Sequence, residues 1–216
     1  ERIMQNSIET KFSKLIERKN SELYLYRKIR KQYLAPAIIG LLLGTIIISI
    51  LFPQAEKVLD SSLLEKHFAG MFVGCKKISE CFSFVFQLSF SDIRHTFLIF
   101  ISGFTYFCFF ASATVIFVKG LILGTAITYA ILSTAGAFSL SLLVFLLCKA
   151  ALLCVMLELA SAAYSFSYDF RAIKSKKSVL RRAPATYQYT YRFAVTLGMI
   201  LFINLVYSLL IYFLAG

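Results

Sequence analysis

Charge is nearly absent from the middle of this 216-residue chain: from Thr96 to Tyr168 only Lys119, Lys149 and Glu158 carry one. A water-soluble domain covers its apolar faces with polar ones, and a stretch this long and this poor in charge leaves nothing to do the covering. Also missing are a glycine-rich nucleotide loop, a zinc-binding helix, a nucleophile elbow and a CxxC redox pair. The five cysteines, Cys75, Cys81, Cys108, Cys148 and Cys154, form no ligand grouping with His67 or His95. An enzyme is therefore not expected, and neither is a bound cofactor or metal. No charged lead, short apolar run and small-residue cleavage site open the chain, since the first apolar run starts at Leu34. The first residue is Glu1 and not Met, which leaves room for residues upstream.

What is present is apolar: 59% of the residues are hydrophobic, and Lys and Arg number 23 against 11 acids. The composition excludes a disordered chain and points to an all-α polytopic membrane protein, residues 1–216 forming one membrane domain. The net charge of +12 comes from two basic blocks, 1–33 and 169–192, with a balanced segment, 53–95, between them. Because the basic blocks abut apolar spans, they read as cytoplasmic flanks at an anionic leaflet and not as a nucleic-acid surface.

Five transmembrane spans are predicted, at about 34–52, 96–118, 121–140, 150–168 and 193–214. Lys119 and Gly120 mark the turn between the second and third. Residues 1–33 pattern either as an amphipathic helix on the cytoplasmic face or as a solvated lead-in. Residues 53–95 read as an outer amphipathic segment of interfacial helices, with Ile78 to Phe90 too short to span and Asp92, Arg94 and His95 at an outward boundary. Tyr187, Tyr189 and Tyr191 suit the headgroup belt before the last span. Placing both basic blocks inside puts the amino terminus in the cytoplasm and the carboxyl terminus outside, in a multi-pass cell-membrane protein. Cys75 and Cys81 are near enough in sequence for a disulfide if their segment faces an oxidising compartment.

Candidate site residues are few. Gly40 and Gly44 form a small-residue notch for close helix packing, and Gly120 and Gly124 are expected to set how closely the second and third spans approach. Lys149 lies mid-membrane if the fourth span starts near Ala137, and at the outer interface if it starts near Ala150; snorkelling favours the second. Glu158 then moves toward the middle, as an interhelical anchor or an ion-coupling acid. It lies nine residues and about 13 Å of rise from Lys149, on the opposite helix face, so its partner must come from elsewhere.

The runs Phe100-Ile101-Ser102-Gly103, Phe117-Val118-Lys119-Gly120-Leu121-Ile122-Leu123-Gly124 and Glu158-Leu159-Ala160-Ser161-Ala162-Ala163 carry a resemblance. Over roughly residues 34–215 the chain resembles the stage II sporulation protein M family of integral membrane proteins. Where that family commonly has a Pro-His pair shortly before the Glu, this chain has Leu152, Leu153, Cys154 and Val155, so only Gly120, Gly124 and Glu158 carry over by position. The resemblance implies a membrane scaffold working with peptidoglycan-degrading partners in sporulation, or near envelope and transport functions elsewhere. The function expected is thus a non-catalytic scaffold or assembly subunit. It would contact membrane lipids and other membrane or envelope proteins, as a homodimer or higher oligomer, with no nucleic acid. The alternative is a permease-like subunit moving a small solute or ion by way of Glu158.

Overall fold

The computed structural model of the protein describes residues 27–51, 78–133, 140–175 and 182–215. Most of the amino-terminal block, the segment 52–77 with Cys75, and the centre of the basic loop lie outside the described residues, so the expectations placed there are untouched. The Cys81 side chain falls outside as well. Five helices make up the described fold: α1 (Arg27–Leu51), α2 (Ile78–Ser102), α3 (Cys108–Ser133), α4 (Leu140–Ser175) and α5 (Arg182–Ala215). Four of them, α1, α3, α4 and α5, are long and apolar enough to cross a membrane. At about 1.5 Å per residue the 26 residues of α3 rise roughly 39 Å, more than a hydrocarbon core of about 30 Å needs.

The division of the chain differs from the predicted one at a specific place. No turn occurs at Lys119 and Gly120, through which α3 runs unbroken; the turn lies at Gly103 to Phe107. There the Gly103, Phe104 and Thr105 amides donate to the carbonyls of Phe100, Ile101 and Ser102 and close α2. Gly103 is required by a neighbour: a Cβ on it would fall on the Tyr189 hydroxyl of α5. Ser167 Oγ of α4 donates to the Thr105 carbonyl at 2.8 Å, and Arg171 lies over the Tyr106 ring, so the turn is fixed from α4 as well. Residues 78–95 accordingly are not a separate helix. They continue into 96–102 as one 25-residue helix, in which the Asp92 carboxylate is paired inside the bundle.

Side-chain pairs give the helix directions. Phe100 stacks on Tyr189 and on Phe193, while Asn204 reaches Ser89 and Asp92, so α2 and α5 are antiparallel. Ser102 meets Ser112 and Asp92 meets Lys119, making α2 and α3 an antiparallel hairpin. Phe109 packs on Tyr164 and Phe145 on Tyr207, which orients α3 to α4 and α4 to α5 likewise. α1 lies parallel to α3, its Gly40 and Gly44 opposite Phe117 and Leu121. All five helices therefore alternate in direction, and α1, α3 and α5 start at one end. That end collects Arg27, Lys28, Arg30, Lys31, Arg171 and Arg192, and is called the basic end below.

The core is largest toward the basic end, where Tyr33, Ile99, Ile116, Met156, Ala160 and Phe166 are buried together. Tyr189 belongs to this core and not to a headgroup belt: its hydroxyl donates to the Phe100 carbonyl at 2.8 Å and its ring stacks on Phe166. Tyr187 and Tyr191 remain exposed. A smaller cluster of Ala126, Phe145, Tyr207 and Ile211 fills the opposite half. Outward-facing Ile38, Ile39, Leu42, Ile46, Phe202 and Phe213 are apolar and unburied, as lipid-facing surfaces are.

Candidate functional site

Four helices meet at one carboxylate. On α2, Ser89, Asp92, Thr96 and Ile99 recur at spacings of three and four residues and form the inward stripe, all of them buried. Asp92 Oδ1 accepts from Lys119 Nζ of α3 at 2.5 Å, and Oδ2 lies 3.5 Å from Lys149 Nζ of α4. From α5, the Asn204 amide Nδ2 donates to Asp92 Oδ2 and to Ser89 Oγ, each at 3.2 Å. The Asp92 side chain is 5% exposed, Lys119 13% and Lys149 19%, so the group is largely shielded from its surroundings.

Its depth follows from helix rise. Asp92 lies ten residues before Ser102, the last residue of α2, which sets the group about 15 Å inside the basic end. Two ammonium groups share one carboxylate, leaving a formal surplus of one positive charge among these side chains. A buried pair is held only with good geometry and further hydrogen bonds, and Asn204 and Ser89 contribute the latter. Asn204 Oδ1 is buried and accepts no hydrogen bond from a described residue. Beside the group, His95 Nδ1 donates to the Ser91 carbonyl at 2.6 Å.

Lys149 therefore sits within α4, which begins at Leu140, and not at an outer interface before a helix starting at Ala150. Snorkelling is unnecessary because Asp92 supplies the counter-charge at depth. Glu158 lies at the middle of α4, close to half exposed, with Oε1 2.6 Å from Arg30 Nη1 of α1, so its partner comes from another helix. Asp92 was placed by sequence at a boundary. A search for counter-charges would have found it, because between Glu80 and Glu158 it is the one acid available to Lys119 and Lys149.

The four glycines form a second arrangement. A Cβ on Gly40 would fall on the Phe117 carbonyl oxygen, and one on Gly44 on that of Leu121. Reciprocally, Gly120 faces the carbonyl of Ala37 and Gly124 that of Leu41. Gly120 and Gly124 thus set the approach of α3 to α1 and not that of two consecutive spans. Near the turn, Ser102 and Ser112 share a 2.8 Å hydrogen bond with Cys108 Sγ 3.6 Å from Ser102 Oγ. Among the described residues no group of three or more His, Cys, Asp or Glu is placed to hold a metal ion.

A helical bundle with an apolar exterior, backbone-close helix contacts and charges paired in its interior defines a multi-pass membrane protein. Comparison with family models, with curated proteins and with solved structures finds no match to the chain.

Proposed function

We propose that the chain crosses the membrane five times and serves as a non-catalytic scaffold or assembly subunit that docks partner proteins, its amino terminus cytoplasmic and its carboxyl terminus outside. The fifth crossing is α2, which runs beside α3 and α5 and whose inward acid is matched by two lysines. The orientation rests on the basic end, since cytoplasmic flanks carry the excess of Lys and Arg. At the opposite end the described residues of all five helices contain no Lys or Arg.

The observation that carries the scaffold reading is the closure of the interior. Asp92 engages both buried lysines, the helices run unbroken past it, and α1 is held against α3 backbone to backbone. Transporters that alternate access move one bundle against another around discontinuous helices at the midplane. A body tied together in this way favours a fixed platform. The permease-like alternative draws on the same Asp92 group, because intramembrane charges mark ion paths in many proteins. Its acid would then be Asp92, deep in the bundle, and not Glu158. The family resemblance adds envelope or peptidoglycan-remodelling factors as the class of partner.

Complex size and solute uptake separate the two, and Glu158→Gln tests the acid that the sequence singles out. The Arg30–Glu158 pair is close to half exposed, and exposed pairs contribute about 0–1 kcal/mol, so the variant is expected to fold normally. In native membranes dissolved in mild detergent, wild type and variant are expected to migrate alike, in a complex heavier than the monomer. A wild-type chain that migrates only as a monomer contradicts the scaffold, as does solute uptake by vesicles reconstituted with the wild-type chain alone.

A further inference from the structure

Arg94 follows Asp92 by two residues on α2, so the two side chains leave the helix about 200° apart. Asp92 points into the bundle, and Arg94 points out of it and is exposed. Ser83, Gln87 and Ser91 are exposed on the same side at spacings of four and of three residues along the helix, a polar stripe ending at Arg94. Phe86, Phe90, Phe97 and Leu98 flank that stripe and are exposed too. Among the described residues Arg94 makes no hydrogen bond or ion pair.

Its depth makes this unusual. Arg94 is eight residues from the end of α2 at Ser102, about 12 Å of rise inside the basic end, and sixteen residues, about 24 Å, from Ile78 at the other. Helical side chains lean toward the helix amino terminus, which for α2 is the end opposite the basic one. Reaching the nearer headgroups would require the guanidinium to run against that lean. Left among lipid tails, it is costly to solvate.

Resting on the reading of α2 as a membrane-crossing part of a scaffold, we infer that its outward face docks a membrane helix of another protein, which sets an Asp or Glu carboxylate against Arg94 between Phe90 and Phe97. A guanidinium donates two parallel N–H bonds to a carboxylate, and the pairing compensates the charge that the described residues leave unpaired on this face. A second copy of the chain is the wrong occupant. Two-fold pairing through α2 around the membrane normal would bring Arg94 against Arg94.

The test uses the full chain, carrying a donor fluorophore, in phosphatidylcholine bilayers. The probes are synthetic Leu/Ala transmembrane peptides with an acceptor and a single central Asp, Leu or Lys. The Asp peptide is expected to bind about 10- to 100-fold more tightly than the Leu peptide. Arg94→Leu should abolish that preference, and Arg94→Glu should transfer it to the Lys peptide. Since Arg94 makes no hydrogen bond or ion pair to a described residue, both variants should unfold at the wild-type detergent concentration. Equal binding of Asp and Leu peptides overturns the inference, whether because the chain's own acids already occupy the face or because nothing acidic belongs there. A preference that survives Arg94→Leu, or efficient disulfide formation between two copies carrying Ser91→Cys, overturns it as well. Failure of the scaffold reading looks different: the wild-type chain is then monomeric in native membranes. A heavier complex that persists in Arg94→Leu rejects only this docking face.

Discussion

Asp92→Leu is expected to lower the stability of the folded bundle by about 3–5 kcal/mol, the cost of stripping the partner from buried charges. The substitution leaves Lys119 and Lys149 facing each other across the space that the carboxylate bridged, and deprives Asn204 Nδ2 of one acceptor. Lys149→Met should cost less, since that ammonium is farther from the carboxylate and more exposed. The informative variant is the triple replacement Asp92→Leu, Lys119→Met, Lys149→Met. With no charge left to bury, it should recover most of the loss, because an apolar set of similar volume often equals or exceeds a buried ionic one. Equilibrium unfolding in mixed micelles of mild detergent and dodecyl sulfate measures all of them. A triple variant as unstable as the single one would mean that the group works through something other than its charges. The three effects are not expected to add, because the residues share one network.

Gly120 and Gly124 produce the second large effect. In a helix exposed to water, Gly→Ala stabilises by about 1 kcal/mol. Here the added methyl would land on the Ala37 or Leu41 carbonyl, which belongs to backbone and cannot rotate aside. Gly120→Ala is therefore expected to destabilise by about 1–3 kcal/mol, and Gly120→Leu to detach α1 from α3 altogether. The control lies on α5, where a Cβ at Gly198 meets nothing within 4 Å, so Gly198→Ala should be neutral or slightly stabilising. Cysteines placed at Leu41 and Leu121 report the contact directly: crosslinking should persist in Gly198→Ala and vanish in Gly120→Leu. Crosslinking that survives Gly120→Leu would show that the two backbones are not held at this distance.

The apolar class of the chain and the small-residue character of Gly40, Gly44, Gly120 and Gly124 could be read from sequence, because length, hydropathy and glycine spacing are local properties. The helix boundaries in the middle could not. Lys119 beside Gly120 has the composition of a membrane-edge turn, and Asp92, Arg94 and His95 that of a boundary before a span. Both impressions assume that a charge marks an interface. Lys119 and Lys149 instead meet Asp92 across 27 and 57 residues of chain, a pairing that no window along the sequence contains. The true turn at Gly103 to Phe107 is rich in aromatic residues and carries no charge, so hydropathy gives no sign of it. Tyr189 was hidden for a related reason: between exposed Tyr187 and Tyr191 its composition is that of a headgroup belt, while helical rotation turns it into the core.

Tyr106 decides between the two divisions of the chain. A span over 96–118 would bury it among lipid tails, whereas a turn at Gly103 to Phe107 sets it at the basic end with Tyr187, and both are exposed. In a background lacking the five native cysteines, Tyr106→Cys and Tyr187→Cys can be treated in sealed vesicles with a membrane-impermeant thiol reagent from either side. The bundle requires both to react from one side, and the proposed orientation makes that side the cytoplasmic one. A Cys at 106 that reacts from neither side, or only from the side opposite the one at 187, would contradict α2 as a membrane-crossing helix and Asp92 as its interior charge.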